Sequence, residues 1–522
     1  MKLTSSAQMR EMDSYVIEDL GVRGTVLMSN AAEHIALAAL ENLPLGSFAA
    51  VFCGTGNNGG DGIGAAAFLM EKGVPVRVFL IGTIEKLTHD SKEMLRRLDM
   101  IGGALEPFSD SGEVHDYANS CGVIIDAIFG IGFTSGVRGD ALAAIEMINA
   151  SGARVIAADI PSGVHADTGT VPGVAVNADV TVTFSMAKPG HFVEPGCIHC
   201  GELRIRDIGI PRDIINGVMS PVFAVTHDEV SLPRRRPNSH KGNYGRCLIV
   251  AGSIGYTGAP ALCARAASRM GSGLVYLGVP ETIYDILAVK LDEEMPFPLP
   301  CDKNGRLAAN AAGEVLRRAG ECDVCLFGPG LGVTSEITEL VLSAIRLIKA
   351  PIVLDADGLN AISSSTDIFG KTAGQLILTP HPGEFLRLGG NLSSGDRLRE
   401  ARAFAHTNKC VLVLKGHRTI TAFPDGTAYI NTTGGPAMAK AGSGDVLAGM
   451  IASLIGQKLA VRDAVLTAVY LHGLAGDMCA AENGEYSVTA GDIITMLPRA
   501  AQSVLQATGV CNTQSAIGVA TI

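Results

Sequence analysis

A glycine-rich segment near the C-terminal end of the chain ends in one aspartate and runs into an apolar stretch. It occupies residues 440–449 and reads KAGSGDVLAG. Glycines let backbone N–H groups close around an anion, and the N-terminus of a following helix adds the positive end of its dipole. The carboxylate of Asp445 could then take a proton from an attacking hydroxyl group. This segment therefore predicts the handling of a phosphate.

A second glycine-rich segment, residues 56–62 (GNNGGDG), lies far upstream. It follows the apolar run Ala49–Cys53, which predicts a buried strand, and precedes a helix that we expect over Ala65–Lys72. Asn and Gly tolerate left-handed backbone angles, so the segment alone could be a simple turn. Two such segments in one chain nevertheless suggest two sites in two domains.

Composition limits the classes of protein that need to be considered. A chain of 522 residues is long enough for two to four domains of about 100–200 residues. A hydrophobic content of 47% with 18% charged residues indicates a globular protein, and 63 glycines without any Trp fit an α/β protein with many tight turns. The net charge of −11 argues against a nucleic-acid partner, because such a partner requires a basic face.

The sequence also bears on location and on cysteine chemistry. No apolar run follows Lys2, and the uncharged stretch 247–264 is interrupted by glycines and a proline, so we expect a cytoplasmic protein without a membrane partner. Twelve cysteines then suggest free buried thiols. The pairs Cys197/Cys200 and Cys322/Cys325 have metal-like spacing, which leaves a zinc or redox role open beside ordinary packing.

Short apolar strands alternate with helices in both halves, which predicts parallel sheets covered on both faces. In the first half they include residues 49–53, 76–81, 122–126 and 154–159, and in the second half 246–251, 324–327, 352–355, 376–379 and 411–415. Ligands of such sheets bind at the carboxyl ends of the strands. Asp61, Asp126 and Asp159 should therefore lie at one edge of the first sheet.

We place the boundary between the two domains near residue 225. Proline and basic residues cluster in the segment 231–241, which we interpret as a solvated linker, with a basic rim for a nucleotide phosphate as the alternative. The predicted domains are thus residues 1–225 and 226–505. Residues 506–522 are polar and are expected to form a frayed tail.

Oxygen-bearing side chains gather at the predicted sheet edge of the first half. Asn58, Asp126 and Ser162 all offer oxygen atoms, so together they could hold a hard cation. Each residue by itself is equally consistent with a helix N-cap. The glycine-rich segments after Asp126 and Asp159 make a polar pocket that packing alone does not require.

The motifs of the first half resemble the NAD(P)H-hydrate epimerase family. They are LMSNA at residues 27–31, GNNGGDG at 56–62, the glycine loop after Asp126, and DIPSG at 159–163. The resemblance implies a Rossmann-like doubly wound sheet and interconversion of the R and S hydrates of NADH and NADPH. It also implies that Asp159 is an acid/base at the nicotinamide end and that Asn58, Asp126 and Ser162 bind K⁺. The hydrated dinucleotide would contact Asn57, Asn58, Gly59, Gly60, Asp61, Gly130, Ile131, Gly132, Phe133, Thr134, Ser135, Gly136 and Asp159.

A set of glycine- and proline-containing motifs follows the predicted strands of the second half. They are GPGLG at residues 328–332, DADGLN at 355–360, TPHPGE at 379–384 and KGHRT at 415–419. Each motif alone is consistent with a turn or a helix cap. Their common position at strand carboxyl ends indicates one site.

This set resembles the ribokinase-like fold and, within it, the ADP/ATP-dependent NAD(P)H-hydrate dehydratases. The resemblance implies phosphorylation of the hydrate hydroxyl followed by elimination of phosphate, with Asp445 as the base and Mg²⁺ accompanying ADP or ATP. The nucleotide would be held by Lys415, Gly416, His417, Arg418, Thr419 and Gly444, and the hydrate by Ala259, Gly330, His381 and Asp445. Ala441-Gly442-Ser443 stands where many relatives carry Gly-Gly-Thr, and Ser443 still supplies a hydroxyl.

The tandem order of the two motif sets resembles the bifunctional NAD(P)H-hydrate repair enzymes of bacteria, and this favours ADP as the phosphoryl donor. We expect NADHX and NADPHX, the two hydrates, as substrates, and a homo-oligomer. A ribokinase-like small-molecule kinase with a regulatory first half is the nearest alternative. A non-catalytic dinucleotide-binding scaffold is the alternative from another class.

Overall fold

The computed structural model describes residues 1–507, and the chain forms two compact units. One unit comprises Lys2–Phe223, and the other begins at Ala224 and includes Met1. Apart from its first two residues, the polar tail expected over 506–522 lies outside the described residues.

The N-terminal unit is built on a seven-stranded sheet in which every strand pairs in parallel with its neighbours. Its strands are β1 (Ala49–Cys53), β2 (Val76–Leu80), β3 (Leu105–Pro107), β4 (Val123–Ala127), β5 (Arg154–Ala158), β6 (Val180–Phe184) and β7 (Glu202–Arg206). Their spatial order is β3-β2-β1-β4-β5-β6-β7. The chain therefore starts in the middle of the sheet and reverses direction at β1, so the edge above β1 and β4 is where a ligand is expected.

Helices cover both faces of this sheet. They are α1 (Ser6–Glu18), α2 (Gly24–Asn42), α3 (Asn57–Glu71), α4 (His89–Met100), α5 (Gly112–Ser120), α6 (Asp140–Ala150) and α7 (Arg212–Gly217). Alternate strand residues enter two separate apolar layers: Val51 packs in the layer with α1 to α4, and Phe52 in the layer with α5 and α6. The doubly wound α/β architecture predicted for this half is confirmed.

The first glycine-rich segment differs from its sequence interpretation. We expected a loop over residues 56–62 and a helix from Ala65, but α3 begins at Asn57, so that segment forms the first turns of the helix. The prediction of the helix start was wrong because glycine has low intrinsic helix propensity, whereas here tertiary packing decides. A Cβ atom on Gly62 would stand 2.5 Å from the Ala127 side chain. The glycines thus let α3 lie directly on the sheet.

The C-terminal unit is built on a ten-stranded sheet, with the order β11-β10-β9-β12-β13-β14-β15-β16-β17-β8. Its strands are β8 (Val222–Val225), inside which the boundary between the two units falls, and β9 (Arg246–Val250), β10 (Leu274–Pro280), β11 (Met295–Leu299), β12 (Val324–Phe327), β13 (Ile352–Leu354), β14 (Leu376–Leu378), β15 (Val411–Leu414), β16 (Ile420–Ala422) and β17 (Ala428–Asn431). Pairing is parallel from β11 to β15 and antiparallel from β15 to β17.

Ten helices accompany this sheet within the described residues of the unit. They are α8 (Gly258–Arg269), α9 (Glu281–Lys290), α10 (Ala312–Ala319), α11 (Ser335–Leu347), α12 (Asp357–Ile362), α13 (Pro382–Arg387), α14 (Arg397–Asn408), α15 (Ser443–Gly456), α16 (Val461–Asn483) and α17 (Ala490–Ala507). Helix α16 is long and apolar enough to cross a membrane, but 67% of its apolar window is buried inside the protein. It therefore behaves as a core helix, packed with α15 in the main apolar cluster. The α/β class predicted for this half is confirmed.

The basic segment 231–241 is largely exposed, as a solvated segment should be. It is nevertheless attached to the C-terminal unit. The Arg235 guanidinium donates a hydrogen bond to the Gly271 carbonyl (2.6 Å) and lies 4.1 Å from the centre of the Tyr244 ring. Arg235 therefore anchors this part of the segment to the C-terminal unit.

Candidate active sites

The N-terminal unit contains a cavity of about 710 Å³ at the carboxyl edge of its sheet. Strands β1, β4 and β5 are neighbours in the sheet, so the segments that follow them meet at this edge. The polar and charged residues of the cavity wall are Arg10, Asp13, Thr55, Asn57, Asn58, Asp61, Thr88, Asp90, Thr134, Ser135, Asp159 and Lys188. A volume of this size is typical of a site for an organic ligand or cofactor.

Most dinucleotide contacts expected from the sequence lie on this wall. Asn57, Asn58, Asp61, Gly130, Ile131, Gly132, Phe133, Thr134, Ser135 and Asp159 all line the cavity. Gly59, Gly60 and Gly136 do not line it. Cβ atoms added to Gly59 and Gly60 would stand 1.8 Å from the Gly54 carbonyl oxygen and 2.7 Å from the Met28 sulfur. These two glycines therefore allow close packing below the cavity.

Asp159 follows β5 and is held in place by a buried lysine. Its φ of 63° is uncommon for a residue with a side chain, and its Oδ1 accepts hydrogen bonds from Lys188 Nζ (2.6 Å) and Thr183 Oγ1 (2.9 Å). Burial alone would raise the pKa of Asp159, but the Lys188 charge and these hydrogen bonds outweigh burial and lower it. Asp159 is therefore a carboxylate that stays ionised inside the protein.

His191 also positions Asp159, and it does so as an uncharged side chain. His191 Nδ1 accepts a hydrogen bond from the Lys188 backbone N–H (3.1 Å), so Nε2 carries the proton and donates it to the Asp159 carbonyl (2.9 Å). Burial, followed by the nearby Lys188 charge, lowers the pKa of His191 to about 4. The imidazole is consequently neutral at physiological pH and orients the Asp159 backbone.

Two further carboxyl groups, those of Asp13 and Asp61, face the same cavity. Neither has a hydrogen-bond partner within residues 1–507. Burial, with a smaller contribution from Asp159, raises the pKa of Asp61 well above its usual value. Burial also raises the pKa of Asp13 to about 6, although the Lys188 charge opposes this shift. The cavity thus combines one ionised carboxylate with two carboxyl groups that hold protons more tightly.

The three predicted cation ligands divide into a hydrogen-bonded pair and a neighbour. Ser162 Oγ donates to Asp126 Oδ1 (2.6 Å), and the Ser162 N–H donates to Asp126 Oδ2 (2.8 Å). Asn58 packs against Gly130, where an added Cβ would stand 3.1 Å from the Asn58 side-chain oxygen. The Asn58 amide nitrogen is buried without a hydrogen-bond partner. A buried carboxylate with hydroxyl and amide groups nearby is a donor set that fits a hard monovalent cation.

The motifs of the C-terminal unit also converge at a sheet edge. Strands β12, β13, β14 and β15 are adjacent and parallel, so the segments that begin at Gly328, Asp355, Thr379 and Lys415 lie side by side. The glycine-rich segment, which leads into helix α15, lies at the same edge. A Cβ added to Gly444 would stand 3.2 Å from Lys415 Nζ and 3.7 Å from Asp355 Oδ2. The expected nucleotide residues Lys415 and Gly444 are thus in direct proximity.

Asp445 occupies the first turn of α15, directly after the glycines. Gly442 precedes the helix with a φ of 94°, which a side chain would oppose, and Ser443 Oγ donates to the Met438 carbonyl (3.0 Å). Burial raises the pKa of Asp445 to about 7, with a further contribution from Asp355 and opposition from Lys415. A carboxyl group with a pKa near neutrality is suited to accept a proton from a hydroxyl group.

Lys415 is held by a carboxylate that the sequence did not single out as a site residue. Its Nζ donates to Asp355 Oδ1 (2.7 Å), and Thr379 Oγ1 donates to the same oxygen (2.8 Å). The Asp355 side chain is only 2% exposed, so this ion pair is well shielded from water. Although burial opposes it, the Asp355 charge raises the pKa of Lys415. The ammonium group is therefore a fixed cation beside the glycine loop.

The remaining expected residues lie on segments at the same edge. A Cβ on Gly330, whose φ is 70°, would stand 3.5 Å from the Ala259 side chain, so these two expected hydrate contacts are close together. His381 caps α13, where its Nδ1 accepts a hydrogen bond from the Gly383 N–H (3.0 Å). This side chain therefore has a structural task in addition to its expected contact with the hydrate. Gly416, His417, Arg418 and Thr419 form the turn between β15 and β16.

Two polar side chains of helix α16 were missed by the sequence interpretation. His472 on α16 is 8% exposed, its Nε2 has no hydrogen-bond partner within residues 1–507, and burial lowers its pKa to about 4. Asp477, further along α16 and only partly buried, accepts a hydrogen bond from the Gly434 N–H (2.8 Å). The residues 472–477 (HGLAGD) carried a usable signal, because His and Asp are uncommon in the middle of an apolar helix.

We expect the substitution Gly444→Ala to weaken nucleotide binding roughly tenfold, which corresponds to ~1.4 kcal/mol. The new methyl group would press on Lys415 Nζ at 3.2 Å and displace the ammonium from its place beside the loop. Calorimetric titration with ADP or ATP in the presence of Mg²⁺ measures the change. Gly313→Ala on α10 is the matched control, since no atom lies within 4 Å of its added Cβ. Equal affinity in both variants would contradict the placement of the nucleotide at this loop.

Both halves of the chain are similar to known protein families. Residues 247–499 match the family model described as NAD(P)H-hydrate dehydratase, and residues 24–190 match the model of the YjeF-related protein N-terminus. A bifunctional NAD(P)H-hydrate repair enzyme of Thermofilum pendens is 39% identical over 97% of both chains. One from Moorella thermoacetica is 40% identical over 95% of this chain and 96% of its own. The solved ADP/ATP-dependent NAD(P)H-hydrate dehydratase of Bacillus subtilis, 32% identical, covers 54% of this chain and 99% of its own, with a TM-score of 0.47.

The two α/β units, each with carboxyl groups gathered at the carboxyl edge of its sheet, define a two-domain enzyme with two separate sites. Full-length identity to the repair enzymes then settles the family. The chain belongs to the bifunctional NAD(P)H-hydrate repair enzymes. The resemblance drawn from the motifs is confirmed.

Proposed function

We propose that this chain restores hydrated NADH and NADPH to the intact cofactors, using one domain for epimerisation and the other for dehydration. The observation that carries the proposal is the presence of two distinct acid/base sites. Asp159 is kept ionised by Lys188 in the N-terminal cavity, whereas Asp445 has a pKa of about 7 beside a phosphate-binding loop. Two different chemistries therefore act on one substrate.

In the N-terminal cavity, Asn57, Asn58, Asp61 and the segment Gly130 to Ser135 bind the hydrated dinucleotide. Backbone N–H groups at the start of α3 favour the negatively charged diphosphate, because the helix dipole places partial positive charge there. Asp159 then faces the hydrated nicotinamide. Its task is proton transfer at the hydroxyl-bearing carbon, where the hydroxyl must leave and return on the opposite face.

In the C-terminal domain, Asp445 removes the proton from the hydrate hydroxyl, so that the oxygen attacks the terminal phosphoryl group of the nucleotide. The amides of Gly442 to Gly444 and the ammonium of Lys415 stabilise the charge on the transferring group. Phosphate is a better leaving group than hydroxide. Its elimination restores the double bond of the dihydronicotinamide.

Two ions are part of this proposal. K⁺ would be held by Asn58, Asp126 and Ser162, and it would supply positive charge near the glycine segment after β4. Mg²⁺ would enter with ADP or ATP, with ADP as the preferred donor, and would neutralise phosphate charge. Within residues 1–507, no group of three or more His, Cys, Asp or Glu side chains is arranged to hold a metal ion alone. The nucleotide phosphates would therefore complete the shell of Mg²⁺. The homo-oligomer and the cytoplasmic location stay predictions.

The proposal is tested with the full chain, racemic NADH hydrate, Mg²⁺ and either ADP or ATP. Recovery of the absorbance of NADH should be complete and biphasic, with a fast phase for the S hydrate and a slower phase for the R hydrate. Recovery of half the absorbance would contradict the epimerase assignment. A stable phosphorylated product, without free phosphate or NADH, would favour the alternative of a small-molecule kinase.

Removing K⁺ is expected to slow the second phase and leave the first unchanged. The physical reason is that the buried Asp126 carboxylate would lose the cation that neutralises it, and burial already raises its pKa to about 6. The measurement compares the rates of both phases in KCl and in tetramethylammonium chloride at equal ionic strength. Slowing of both phases would point to a general salt effect, and equal rates in both salts would contradict the cation site.

A further inference from the structure

Helix α1 brings a carboxyl group into the epimerase cavity from outside the sheet edge. The helix begins with a capping box, in which Gln8 N–H donates to Ser5 Oγ (3.2 Å), and it is fastened by hydrogen bonds from Ser6 to Asp167 Oδ1 (2.6 and 3.0 Å). One face of the helix, with Met9, Arg10, Asp13 and Ile17, forms part of the cavity wall. Asp13 is therefore placed in the cavity by a helix that is rigidly attached at its start.

The environment of Asp13 differs from that of Asp159 although both face the same space. Asp159 is hydrogen-bonded to Lys188 and Thr183, whereas the Asp13 carboxyl has no hydrogen-bond partner within residues 1–507. The charges that act on Asp13 from other elements are those of Lys188 and Asp159, and Asp61 lies within electrostatic range as well. An unengaged carboxyl group that points into a ligand cavity is available to a ligand.

We propose that Asp13 is the second proton-transfer residue of the epimerase site and acts together with Asp159 on the hydrate hydroxyl. This inference rests on the proposed epimerase function. Two titratable groups whose surroundings push their proton affinities in opposite directions are suited to serve as an acid and a base in one reaction. Asp159 is the ionised member of the pair, and Asp13 is the member that carries a proton more readily.

The step can be written so that all atoms balance. The hydrate hydroxyl is attached to the carbon bonded to the ring nitrogen. Asp13 transfers its proton to the hydroxyl oxygen, the C–O bond breaks, and water leaves while the nitrogen lone pair forms a C=N bond. A water molecule then attacks this carbon from the opposite face and gives a proton to Asp159, which restores the hydroxyl with inverted configuration. Proton transfer through solvent from Asp159 to Asp13 completes the cycle, and the reverse reaction exchanges the two roles.

Asp61 is the other carboxyl group that could serve as the acid, but its position favours a different task. It lies in the first turns of α3, where it is 9% exposed, among the residues expected to bind the dinucleotide. Burial, followed by the carboxylates of Asp159 and Asp13, raises the pKa of Asp61, so this side chain is suited to donate a hydrogen bond to the dinucleotide. Asp13 is more exposed to the cavity, and its pKa of about 6 allows it to release and regain a proton near neutral pH.

The test uses the full-length substitution Asp13→Asn and the biphasic recovery assay. The R-hydrate phase should slow by about 10²-fold, with the effect on kcat and little effect on KM, while the S-hydrate phase keeps its rate. Asp13→Glu, which retains a carboxyl group, should recover part of the rate. Glu11→Gln is the matched control, because Glu11 lies on the same helix but is exposed and outside the cavity. An unchanged R phase in folded Asp13→Asn would overturn the proposal.

The pH profile separates proton transfer from a purely structural effect. In the unaltered chain, kcat for the R phase should fall as the pH rises above about 6, because Asp13 must be protonated to act as the acid. That decline should disappear in Asp13→Asn. If Asp13→Asn does not fold, Asp13→Glu decides, because its decline must shift; a rate and a profile identical to those of the unaltered chain would contradict the role. Absence of an R phase in the unaltered chain would instead refute the epimerase function itself.

Discussion

Replacing Asp445 by Asn is expected to slow dehydration of the S hydrate by about 10²–10⁴-fold, which is the usual contribution of a positioned general base. Asn has nearly the same shape but cannot accept the hydroxyl proton. The R-to-S conversion should continue at its normal rate, since it takes place in the other domain. The measurement follows NADH recovery from purified S hydrate, with ADP or ATP and Mg²⁺.

The exposed Asp285 on α9 supplies the control, and Asp285→Asn should keep full activity. The pH dependence provides a second check. Because burial raises the pKa of Asp445 to about 7 and the base must be ionised, the dehydration rate should fall as the pH decreases below about 7. A dehydration rate in Asp445→Asn within a few-fold of the unaltered chain would exclude Asp445 as the base.

Replacing Asp159 by Asn is expected to have the opposite pattern, with a loss of about 10²–10⁴-fold in the R-hydrate phase and an unchanged S-hydrate phase. The substitution removes the ionised carboxylate and also leaves the Lys188 ammonium, 1% exposed, without its anionic partner. Breaking a buried pair in this way costs about 3–5 kcal/mol of folding free energy. Thermal unfolding of the N-terminal domain therefore has to be followed beside the activity.

A double substitution separates the two effects of Asp159→Asn. Adding Lys188→Met removes the unpaired charge, so part of the lost stability should return, while epimerisation stays absent. Asp99→Asn on the exposed face of α4 is the control for an aspartate substitution in this domain. If the double variant regained epimerase activity together with stability, Asp159 would have only a structural role.

Much of the fold and of both candidate sites could be predicted from local sequence. Apolar runs such as Ala49–Cys53 and Val324–Phe327 became strands with the expected bounds, because buried strands of parallel sheets are short and uniformly apolar. The start of α3 at Asn57 escaped prediction, since glycine propensity argues against a helix and only contact with the sheet compensates for it.

The order of residues along the chain shows that polar groups follow several predicted strands, and the rules of parallel sheets then require these groups to meet at one edge. Tertiary structure alone decided their protonation. In sequence, Lys188 is 29 residues from Asp159, and Asp355 is 60 residues from Lys415. Asp13 lies in α1, the first helix of the chain, and still lines the same cavity as Asp159. Residue type and spacing reveal where a carboxyl group is, but its pKa depends on burial and on charges brought close by folding. Asp159 and Asp445 are the same type of residue, but their surroundings lower the pKa of Asp159 and raise the pKa of Asp445 to about 7.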